Sequence, residues 1–220
     1  MQEITSSTRR YAVLAVLLIV LAVAAFTFAQ QDKPKSAYDR PATLATAAAK
    51  SVEAPPASEP AKPGYNAKGE LLRPVGYREW IYVGTPITPN DMNPPAAPFP
   101  DFHNVYIHPG DYAHWKQTGK FRDGTVIVKE LVAVGTKQAT SGKGYFMGDF
   151  IGLETLVKDS KRFANEPGNW AFFSFGHKYP LAESTAPQPS FACSACHQGN
   201  AETDYVFTQY YPVLRAAKPK

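Results

Sequence analysis

Methionine is scarce in this chain and cysteine scarcer, with three of the first and two of the second among 220 residues. The methionines are Met1, Met92 and Met147, and beyond position 197 the chain offers neither methionine nor histidine. Two cysteines are too few for a zinc site, which would need further soft ligands that are not placed nearby. An excess of charge is missing too. The formal net charge is only +4, and no basic run interleaved with aromatics occurs, so nothing here implies a nucleic-acid partner. No internal repeat is visible.

What is present begins with the two cysteines, both in the pentapeptide Cys193-Ser194-Ala195-Cys196-His197. Two thiols at this spacing, followed directly by a histidine, read as a c-type haem attachment site. The thiols add across the haem vinyl groups as thioethers, and His197 is placed to ligate iron. A plain disulfide, or a thioredoxin-like redox pair, is the competing reading. The latter normally opens a helix after a strand in a βαβ unit, unlike the Pro-rich approach here. Because the motif comes late and no methionine or histidine follows it, a five-coordinate haem with an open distal face is expected. Met147, between Phe146 and Gly148, is expected to fill core space.

Arg9-Arg10 precede an unbroken apolar run from Tyr11 to Phe26, and Thr27-Phe28-Ala29 offers a small-x-small cleavage site. Residues 1–29 thus read as a secretory signal peptide, or as an uncleaved anchor of nearly spanning length. Periplasmic residence follows, either soluble after cleavage or tethered to the inner membrane by residues 11–29. Residues 30–63, rich in Ala, Pro, Lys, Glu and Ser, cannot bury a core and read as a linker. Residues 64–220 are the right size for one domain.

Within that domain the pattern predicts an α+β fold, mainly antiparallel sheet with a few short helices. Strands are expected at Trp80–Val83, Asn104–Ile107, Thr125–Val134 and Trp170–Phe175, each closed by Gly, Pro or Asp signals. Helices are expected from Pro109 to Lys116, from Gly152 to Phe163, and from Ala201 to Leu214 with Pro212 disturbing its last turn. This is not the pattern of a four-helix-bundle cytochrome c-prime. In the strand at Thr125–Val134, Lys129 and Glu130 point to opposite sides, so one of them must meet a mostly apolar layer. A buried lysine loses part of its preference for the charged form, and its neutral amine is a nucleophile. The bland alternative is a lysine snorkelling to solvent at a strand edge.

From Gly69 to Arg215 the chain resembles the cytochrome P-460 family of bacterial periplasmic c-type cytochromes, which oxidise hydroxylamine. The resemblance is carried by Gly69–Pro74, Tyr77–Trp80, Val83–Pro86, Thr118-Gly119, Phe121–Thr125 and Val128–Leu131. Val157–Asp159, Asn169–Phe172, Cys193–His197 and Phe207–Arg215 complete it. It implies a fold dominated by antiparallel strands, usually a homodimer, with one haem c near the C-terminal motif. It also implies a bond between a lysine amine and a haem meso carbon, the matching residue being Lys129. A distal carboxylate acting as general base corresponds to Glu154, whose bland alternative is an i,i+4 helix pair with Lys158. His103, Phe102 and Phe146 are candidates for the distal pocket. The activity implied is oxidation of hydroxylamine to nitrous oxide or nitrite, with electrons passing to a small soluble c-type cytochrome. A relative of the same fold, cytochrome c-prime-beta, binds nitric oxide without turnover behind a phenylalanine-lined distal face, and Phe102, Phe146 and Phe150 keep that reading open.

Overall fold

The computed structural model describes residues 60–219. The leader or anchor expected at 1–29 and most of the expected linker lie outside the described residues. Among the described residues no helix is long and apolar enough to cross a membrane. The packed body starts slightly before Gly64, because Ala61 is already buried in the core.

In chain order the elements are β1 (Leu71–Leu72), β2 (Ile81–Gly84), β3 (Phe102–Ile107), α1 (Pro109–Thr118) and β4 (Val126–Val134). Then come β5 (Gln138–Ala139), β6 (Gly142–Lys143), β7 (Met147–Lys158), β8 (Trp170–Ser174) and β9 (Ser184–Thr185), and finally α2 (Ser190–Asn200) and α3 (Pro212–Ala217). Strands β2-β3-β4-β7-β8 form a five-stranded sheet in which every neighbouring pair is antiparallel. β1 pairs with β9, and β5–β6 is a small hairpin inserted between β4 and β7. The α+β expectation holds.

Alternation along the strands divides the sheet into two faces. Val126 and Val128 pack with Leu153, Val157, Ala171, Phe173 and Phe175. Ile127 packs on the other side with Val105, Ile107, Leu156 and Phe172, a layer closed by the fully buried Trp115 and Trp170. The charged pair in β4 is thereby split. Glu130, 1% exposed, sits among the first set and accepts hydrogen bonds from Tyr77 Oη at 2.6 Å and from the Arg78 guanidinium at 2.5 and 2.9 Å. Lys129 looks the other way. β4 is the central strand, so Lys129 does not snorkel from an edge.

Three local expectations are corrected. Gly152–Phe163 is not helical, because its first residues continue β7, which pairs on both sides with β4 and β8. Leu, Glu and Lys favour helix in isolation, but two antiparallel partners override that preference. Ala201–Leu214 is not one helix either. Asp204 and Tyr205 adopt positive φ (46° and 63°), and Pro212 opens the short helix α3 rather than ending a longer one. The helix that does form before this point is α2, entered through Pro189 and carrying the cysteine motif. Met147 is half exposed and does not fill the core.

Candidate functional site

Antiparallel register sets four residues in a row across the second sheet face: Val105 opposite Lys129, Lys129 opposite Glu154, Glu154 opposite Ser174. Directly opposed side chains on one face lie within contact distance. Lys129 Nζ is accordingly 2.5 Å from Glu154 Oε2, and both side chains are about four-fifths buried (20% and 19% exposed). This row forms one wall of a cleft of about 390 Å³. Residues from the long β2–β3 connection, among them Phe99, close its rim, and Phe99 lies under the Lys129 ammonium at 4.5 Å. The connection is itself tied to the β5–β6 region, through Asp91 with Lys137 Nζ at 2.6 Å and Tyr145 Oη at 2.9 Å.

Helix α2 supplies the opposite wall. Cys193, Cys196 and His197 fall at i, i+3 and i+4, one helical face, and all three line the cleft. The thiols are not bonded to each other. The His197 ring lies between Phe172 and Phe207, each at 4.6 Å between centroids. Its Nδ1 is 2.7 Å from the Tyr205 carbonyl, which can only accept, so Nδ1 carries the hydrogen and Nε2 keeps a free lone pair. Burial holds this imidazole below its ordinary pKa, although the Tyr205 bond opposes the shift. The result is a neutral, oriented histidine.

Tyr205 is held there by its neighbour. The Asp204 carboxylate takes both oxygens to Lys158 Nζ, at 2.7 and 2.9 Å, and one to Trp170 Nε1 at 3.2 Å. Lys158 therefore serves this turn and does not pair with Glu154 as a helical spacing would have it.

Glu154 has a second partner, His177, whose Nε2 is 2.9 Å from Oε1. Burial raises the Glu154 pKa, but the Lys129 ammonium and the hydrogen bonds from Lys129 and His177 together outweigh it and hold the carboxyl below its usual value. His103 also lines the cleft. Desolvation, helped by the Lys129 charge, pushes it down to about 4, so it is neutral near pH 7, and its buried Nε2 has no hydrogen-bond partner within the protein.

Five of the expected site residues other than His103 are thus gathered in one cleft: Cys193, Cys196, His197, Lys129 and Glu154. Phe102 and Phe146 are not. Phe102 is buried beside Val132, Phe146 lies by the β5–β6 hairpin, and Phe150 is exposed beneath the Arg78 guanidinium. The aromatic lining comes instead from Phe99, Phe172 and Phe207. His177 carried no motif, but it directly follows the glycine that closes the β8 run. A separate depression of about 640 Å³, lined by Arg73, Arg78, Phe150 and Tyr179, holds none of the cleft residues.

The donor set is suited to haem. It combines two thiols and a neutral imidazole on one wall, apolar surface around them, and a neutral histidine with an orphaned nitrogen. Among the described residues no cluster of three or more His, Cys, Asp or Glu could hold a bare metal ion instead. Residues 74–208 match the family model of cytochrome P460. The chain belongs to the cytochrome P460 family. No curated protein matches it. Membership implies a haem cofactor and associates the chain with haem-based oxidoreductase chemistry. The matched segment runs from just before β2 to the turn after Tyr205, so it contains both walls of the cleft.

Proposed function

We propose that this cytochrome P460 protein is a periplasmic, homodimeric c-type haem enzyme that oxidises hydroxylamine to nitrous oxide or nitrite and passes the electrons to a small soluble c-type cytochrome. The observation that supports this reading is the Lys129–Glu154 pair, 2.5 Å apart, in the cleft that also holds Cys193, Cys196 and His197. In this reading the two cysteines would hold haem through thioethers, His197 Nε2 would ligate its iron, and the Lys129 amine would be joined to the macrocycle. Haem bound in this way supplies an open coordination position for hydroxylamine and a sink for its electrons.

The protein must handle the protons. Glu154, held ionised by its neighbours, accepts a substrate proton at a carboxylate oxygen. As long as Lys129 is an ammonium it lowers the Glu154 pKa and weakens that base. An amine bonded to haem would no longer carry the ammonium charge, so the lowering of the Glu154 carboxyl by Lys129 would be lost and burial would raise it. Neutral His103 offers Nε2 to an N–H or O–H of the substrate. Phe99, Phe172 and Phe207 limit water in the cleft, which strengthens each of these interactions.

The same phenylalanines favour a second reading, nitric oxide binding without turnover, as in cytochrome c-prime-beta. Hydroxylamine consumption by the purified protein with an artificial one-electron acceptor separates the two. Wild type is expected to turn over, and Glu154→Gln to lose about 10²–10⁴-fold in rate while still binding nitric oxide, since coordination needs no base. Nitric oxide binding by a wild-type protein that never consumes hydroxylamine would establish the second reading.

A further inference from the structure

Each turnover loads protons onto a carboxylate whose side chain is only 19% exposed, whereas its partner His177 is 52% exposed. The chain crosses β7 closely at this point. Leu153 N donates to Gly176 O at 3.2 Å and Phe175 N to Leu153 O at 2.9 Å, after which Gly176 turns with φ of 109°. A Cβ on residue 152 would lie 2.9 Å from Gly176 O, 3.0 Å from Leu131 and 3.2 Å from His177 Cα. Two glycines therefore permit the crossing, and the crossing sets the His177 ring against Glu154 Oε1. No structural demand explains an imidazole there, because a half-exposed ring contributes little burial.

We propose that His177 is the proton exit of the site, taking protons from Glu154 and delivering them to solvent. This rests on the hydroxylamine reading above. The Oε1–H bond of the protonated carboxyl breaks as Nε2–H forms, and the imidazolium then loses its Nδ1 proton to water. Exchange with water resets the tautomer. No electrons move in these steps; they leave through haem to the one-electron acceptor. Imidazole suits the task because it both takes up and releases protons near neutral pH. The charged groups around His177 are Glu154 of β7, Lys129 of β4, and Asp101 ahead of β3, whose carboxyl is raised by burial and lowered by the charges of His177 and Lys129. His177 acts through Glu154 and is a positioning and relay residue, not a catalytic one.

The test uses the full haem-loaded protein with saturating hydroxylamine and an artificial one-electron acceptor, across pH 5–8. His177→Gln keeps a hydrogen bond to Glu154 but carries no proton. It is expected to slow turnover about tenfold, less than loss of the base itself, and to raise the solvent deuterium isotope effect. His177→Ala is expected to be equally slow and to speed up with the concentration of a proton-carrying buffer too bulky to reach the iron. With the hydrogen bond and charge of His177 gone, the apparent carboxyl pKa in its rate profile should move up. Unchanged haem content and Soret position in both variants would show the fold intact. A His177→Gln protein at wild-type rate throughout, or a slow His177→Ala protein that such a buffer does not speed up, overturns the relay while hydroxylamine oxidation stands. A wild-type protein without turnover overturns both.

Discussion

Lys129 and Glu130 are adjacent in one strand and do unrelated work. Glu130 is buried with Tyr77 and Arg78 as donors, a satisfied structural carboxylate, whereas Lys129 reaches a cleft and pairs with Glu154 over the Phe99 ring. His103 is the residue whose burial has the clearest consequence for stability. Its folded pKa of about 4 lies below the ordinary histidine value of 6.5. Between those values the unfolded chain binds the proton and the folded one does not, so stability falls as pH drops from about 6.5 toward 4. Allowing for partial exposure, the loss attributable to His103 is about 2 kcal/mol. Urea midpoints at pH 7 and pH 4.5 should show His103→Leu losing less on acidification than wild type. Glu154, whose carboxyl is lowered, adds a loss at more acidic pH that both proteins share.

At the level of elements, the register of β4 with β7 makes the site. It brings Lys129 and Glu154 face to face although they are 25 positions apart. That pairing was not legible in the sequence. The β-branched run at Thr125–Val134 announced β4, but Leu153-Glu154-Thr155-Leu156-Val157-Lys158 carries good helix formers and discloses itself as a strand only through its partners. The cleft lining was hidden for the same reason, since which phenylalanines face the motif depends on register. Cys193, Cys196 and His197 could be picked out without tertiary knowledge, because their spacing alone reads as a haem attachment site. Lys129, Glu154 and His103 were legible by resemblance. His177 was invisible, because the glycine-permitted crossing that places it is a long-range feature. The turn behind His197 is likewise set by distant residues. Lys158 and Trp170 hold Asp204, and two successive residues at positive φ are maintained only because the surroundings fix them. Lys158→Met leaves the Asp204 carboxylate without its cation, and about 2 kcal/mol of stability should be lost. Hydrogen exchange should locate the effect, with the Val206 amide, bonded to Thr203 O at 2.9 Å, exchanging faster than in wild type.

In the molecule as a whole, a sheet face and the helix that follows its last strand become the two walls of one cleft. The family match spans both, and the long β2–β3 connection, clamped by Asp91, closes the rim. The account therefore stands on one claim, that a haem sits between these walls, thioether-bound to Cys193 and Cys196 and joined to the Lys129 amine. The optical spectrum of the purified ferrous protein beside that of Lys129→Leu tests it most directly. The account predicts that wild type absorbs far to the red of an ordinary c-type Soret band, and that Lys129→Leu keeps its haem but shows an ordinary high-spin c-type spectrum. Identical spectra from the two proteins, or haem that acid-acetone extracts from wild type, would contradict it.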